Sequence, residues 1–88
     1  NHSVITLQDS SIDITLNKIK IAKNLNIINY SRYTIPDETF LIKLIKNINE
    51  GGQKKSLELI KKEFKDAEKI YLIRTLLWLN KFDVIRID

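Results

Sequence analysis

The chain contains no cysteine, which excludes disulfides and thiolate metal sites outright. A cysteine-free sequence fits a reducing compartment, so a cytoplasmic location is expected. Methionine is also absent, even at position 1, and the chain is therefore expected to be a segment of a longer protein. Asn1 and His2 are left out of fold reasoning on that account. His2 is the one histidine, at a terminus expected to fray, which leaves imidazole catalysis and imidazole metal sites without material. No apolar run approaches the ~18 residues that a membrane span requires, and the start lacks a signal-peptide layout, so no membrane partner is expected. Nor is there a block of about five or six like charges. The lysines are dispersed, and the pairs Lys54-Lys55 and Lys61-Lys62 are interleaved with Glu58 and Glu63. The net charge of +4 is thus read first as lysine on the polar faces of helices, and only second as a nucleic-acid footprint.

What is present is apolar and patterned. Eighty-eight residues, 43% hydrophobic and 30% charged, make one domain spanning the chain. Residues 3–34 are expected to be mainly β. Val4-Ile5-Thr6-Leu7 is one short run, Ile12-Asp13-Ile14-Thr15-Leu16 a second and Ile19-Lys20-Ile21-Ala22 a third. Polar, turn-prone residues separate them, the pattern of a small antiparallel meander with one wet face. A competing reading makes Ser10 and Asp13 a capping box that opens a helix through Asn24. Leu25 to Ile35 reads as another short strand or an ordered connection.

Ile35-Pro36 ends the extended part, because the residue before a proline avoids helical angles. Asp37 is then a natural N-cap, and Leu41, Leu44, Ile45 and Ile48 fall at i, i+3, i+4, i+7 of an amphipathic helix. Gly51-Gly52 stop it, one of them taking the left-handed conformation common at helix ends. Ser56 can cap a second helix that turns Leu57, Ile60 and Phe64 inward. Asp66 is expected to cap a third, whose Ile70, Ile73, Leu76 and Leu77 form one apolar face. Leu72 and Leu79 extend that face, while Tyr71 and Trp78 form a second patch. Phe82 to Ile87 alternates as a terminal strand. The sum is an α+β domain: an N-terminal meander, then residues 37–88 as three helices and a strand, a winged helix-turn-helix-like core.

A helix apolar nearly all round must be covered on more than one side. Tyr71, Arg74 and Trp78 lie on one stripe of it and are residue types that dominate interface hot spots. Catalysis has little to work with. Ser10, Ser11, Ser31 and Ser56 have no base, and Asp37-Glu38 suits a helix start. Gly51-Gly52-Gln53-Lys54-Lys55-Ser56 lacks the glycine before lysine of a phosphate loop and follows a helix, not a strand. The segment is expected to be no enzyme, with neither cofactor nor metal.

Across residues 3–87 the layout resembles the precursor-peptide recognition elements of peptide-modifying enzymes, the PqqD-like family. The likeness is carried by the strand-rich start, by ETFLIKLIKNINEGGQKKSLELIKKEF at 38–64 and by KIYLIRTLLWLNKFDVIRI at 69–87. Residues 23–35 depart from it, being longer and richer in Asn. The resemblance implies non-catalytic capture of an extended leader peptide as an added strand beside the third helix. The edge would come from Ile19 to Ala22, or alternatively Ile27 to Tyr30. Tyr71, Leu72, Arg74, Thr75 and Trp78 would meet the partner, with Lys20 and Arg74 pairing with its acidic residues. One alternative is a DNA-binding winged helix of a transcription or replication factor, presenting Lys69, Arg74, Thr75 and Arg86. Its weakness is that a groove-reading face should be polar. A dimerisation or assembly domain is the other alternative, and the oligomeric state is left open.

Overall fold

In β1 (Val4–Leu7) the alternate residues Ile5 and Leu7 are buried, and this strand is the middle of an antiparallel sheet. The computed structural model describes residues 3–28 and 36–88, with only the backbone of residues 25–28. On one side of β1 lies β2 (Lys54–Ser56), with Ile5 opposite Lys55; on the other lies β3 (Ile85–Ile87), with Thr6 opposite Arg86. Beyond β3, Val4 and Asp88 exchange both backbone hydrogen bonds at 3.0 Å. Among the described residues four helices complete the α+β architecture: α1 (Ile12–Ile28), α2 (Glu38–Glu50), α3 (Leu57–Glu63) and α4 (Lys69–Lys81).

The second and third expected strands, Ile12–Leu16 and Ile19–Ala22, are instead consecutive turns of α1, which also takes in the backbone of residues 25–28. Among its described side chains the buried ones are Thr15, Ile19 and Ala22, at i, i+4 and i+7, with Ile12 and Leu16 packed against the core. Ile14 and Ile21 point to solvent, and these two outward isoleucines create the false alternation at period two. The helix reading was right in kind, but the capping residue is Ser11: its hydroxyl accepts from the Ile14 N–H at 3.3 Å. Buried Thr15 is satisfied locally, donating to the Ser11 carbonyl at 3.0 Å. Of the β-rich region expected over 3–34, the described residues keep one strand. The strand edge considered at residues 27–30 is helical at 27–28 and otherwise outside the described residues, as is Ser31.

The helices after Pro36 follow their local signals closely. Asp37 caps α2, its carboxylate accepting from the Phe40 N–H at 3.1 Å, and Leu41, Leu44, Ile45 and Ile48 are all fully buried. Gly52 takes the left-handed turn at φ +76°. Gly51 is required for a different reason. A Cβ there would sit 2.9 Å from the Lys54 carbonyl oxygen and 3.1 Å from Lys55 Cε. Ser56 caps α3, accepting from the Leu59 N–H at 3.2 Å. The strand β2 just before it was not expected, because Lys54-Lys55-Ser56 carries no apolar residue to mark a strand. Asp66 is not the cap of α4. Residues 64–66 form a turn, and Glu68 occupies the cap position without a side-chain bond.

Candidate functional site

The helix α4 packs against the core through Leu72, Thr75, Leu76 and Leu79, each no more than 2% exposed. That spacing is again i, i+3, i+4, i+7. The inward face is therefore centred on Leu72 and Leu79, and the face expected from Ile70, Ile73, Leu76 and Leu77 is split: Leu76 is buried, while Ile70 and Leu77 point outward. Ile70 is 57% exposed and Leu77 54% exposed, with Ile73 half-buried beside them. Thr75 tolerates burial because its hydroxyl donates to the Tyr71 carbonyl at 2.7 Å.

The expected site residues divide accordingly. Leu72 and Thr75 belong to the core and cannot meet a partner. Trp78 is 7% exposed, its ring 4.9 Å from that of Phe82. Its indole Nε1–H is buried with no acceptor among the described residues. Tyr71 is half-buried and structural: its hydroxyl accepts from the Asp37 N–H at 2.8 Å, and its ring lies 4.9 Å from Phe40. Lys20 is exposed, but on α1 rather than on a strand. Lys69, Arg74 and Arg86 are exposed, and Arg86 pairs with Asp88 at 3.1 Å. Arg74 alone of the expected partner contacts shares the outward side of α4. The residues that sequence reasoning misplaced are Ile70 and Leu77. The signal that could have placed them is the shared spacing of the inward residues in α2 and α4.

A concavity of about 620 Å³ lies between α2 and the turn joining α3 to α4. Phe40 and Phe64, packed edge to face at 5.7 Å, form its apolar wall. At one end Lys55, only 9% exposed, donates to Asn47 at 2.9 Å and to Glu63 at 2.8 Å. The hydrogen bond from Lys55 holds the Glu63 carboxyl below its usual range. These bonds tie β2 to α2 and α3 and leave little of Lys55 for a ligand.

The sheet offers two edges of unequal access. Antiparallel pairing turns the backbone groups of Ile85 and Ile87 away from β1, yet Ile85 is completely buried. On β2 the outward groups belong to Lys54 and Ser56, both exposed. Among the described residues no three His, Cys, Asp or Glu side chains gather as a metal site would need, and no helix is long and apolar enough to cross a membrane. No protein-family model matches the chain, and neither does any curated protein or solved structure.

Proposed function

We propose that the chain is a non-catalytic recognition module that binds a protein or peptide through the outward side of α4. The observation that carries this reading is the exposure of Ile70 and Leu77 in one stripe on a helix already anchored by its opposite face. Such apolar area is costly to leave in water and useful at an interface. The order α2–β2–α3–α4–β3 resembles a winged helix-turn-helix whose central strand, β1, comes from the N-terminal side. In that frame α4 takes the place of a groove-reading helix. A reader of base edges needs polar side chains there, whereas α4 presents Ile70, Ile73 and Leu77.

Capture of an extended peptide by strand addition is the second reading. Its support moves from the α1 region, which is helical, to the exposed outer edge of β2. Lys54 and Lys55 on a three-residue strand are, however, the features that commonly guard an edge.

Selection of a displayed peptide library on the chain tests the proposal. Selected peptides should lose about tenfold or more in affinity on Leu77→Asp and none on Lys54→Asp. The reverse pattern would transfer the site to the β2 edge. Duplex DNA binding at about 50 mM salt, weakening linearly in log K against log salt and lost on Arg74→Ala, would overturn the reading in favour of DNA.

A further inference from the structure

The outward side of α4 carries charge of one sign. Residues 69–81 include Lys69, Arg74 and Lys81 and no Asp or Glu; the nearest carboxylates in sequence flank the helix, Asp66 and Glu68 before it and Asp83 after it. At about 100° per residue, Ile70, Ile73 and Leu77 fall within about 60° of arc, with Arg74 on one flank and Lys69 on the other. Arg74 and Lys69 make no hydrogen bond or ion pair among the described residues. An apolar stripe two turns long between cationic flanks is complementary to a helix with an apolar stripe between acidic flanks. It is not complementary to itself. Two copies packed face to face would set Arg74 and Lys69 against the same cations, with no carboxylate on α4 to relieve them.

We infer that the partner seated on α4 is an acidic amphipathic helix of another protein, its apolar residues against Ile70, Ile73 and Leu77 and its carboxylates against Lys69 and Arg74. This inference rests on the recognition reading above and adds the chemistry of the partner. Helix on helix, the contact follows ridges-into-grooves packing, and the apolar stripe supplies most of the affinity. The cations supply orientation and rate of encounter.

The experiment uses two labelled probe peptides of about four helical turns. Both carry leucine at i, i+3, i+4 and i+7; one has glutamate flanks and the other lysine flanks. Fluorescence anisotropy should show the glutamate peptide binding at least about tenfold tighter, with the preference shrinking as salt rises. Arg74→Glu should cut or reverse that preference, Leu77→Asp should abolish binding of the glutamate peptide, and Lys20→Glu on α1 should change neither. Circular dichroism of each variant confirms the fold, and if Leu77→Asp unfolds, the Arg74→Glu comparison still decides. Equal affinity for the two peptides, both lost on Leu77→Asp, overturns the acidic partner and leaves the recognition face standing. Binding untouched by Leu77→Asp overturns both. Failure of the glutamate peptide to bind overturns the inference, while selected library peptides still judge the recognition reading.

Discussion

Helices α2 and α4 are each 13 residues long and bury the same spacing: Leu41, Leu44, Ile45 and Ile48 in one, Leu72, Thr75, Leu76 and Leu79 in the other. Their outer faces differ. On α2 the exposed positions are Glu38, Thr39, Lys43, Lys46 and Glu50, an ordinary solvated surface of both signs. On α4 they include Ile70 and Leu77, with charges that are all positive. The starts differ too, since α2 has the Asp37 cap and α4 has none. Two helices with one inward code thus separate what folding requires from what it leaves over. The surplus on α4 is the face to which the proposed recognition is assigned.

The largest expected effects should not distinguish the two helices. Leu44→Ala and Leu76→Ala should each cost about 2–5 kcal/mol in denaturant unfolding, since both leave a cavity in one core. A negligible cost for Leu76 alone would break the equivalence. Next come the caps: Asp37→Ala should lose about 1 kcal/mol, whereas Glu68→Ala should stay within about 0.5 kcal/mol, because no side-chain bond is removed. The double change Ile70→Lys with Leu77→Lys should move stability by no more than about 1 kcal/mol while eliminating partner binding. A large loss of stability there would mean that the stripe is part of the fold.

The smallest effect concerns Glu63 at the junction of α2, β2 and α3. Its folded-state pKa is depressed, so its contribution is present above the unfolded value and is lost as pH falls through the folded one. Urea midpoints followed into acid should fall further for the parent chain than for Glu63→Gln. Parallel curves would show that the Lys55 bond adds nothing to stability.

How much was legible depended on whether local and tertiary signals agreed. For α2 they did: proline, cap, periodic leucines and a glycine stop all point the same way. In α1 they conflicted, since Ile14 and Ile21 are apolar and outward while Thr15 is polar and inward, so the pattern imitates a strand. β2 was invisible because its pairing is specified by β1 and the Gly51–Gln53 turn rather than by its own side chains. On α4 apolar residues occupy nearly the whole circumference, and no single-helix pattern says which side faces the core. The register came from packing, which placed Leu72 and Thr75 inside and Ile70 and Leu77 outside.

The sheet has a consequence for the order of folding. Its central strand is the first to be synthesised, yet one of its neighbours, β3, lies some eighty positions further along, and Val4 is bonded to Asp88. Contacts of such separation carry the largest loop-closure cost and form late. Until residues 85–88 are available, β1 can be paired only with β2. β3 packs against α4, its neighbour in sequence, so closure of the sheet carries that helix onto β1 and is expected to come late in folding.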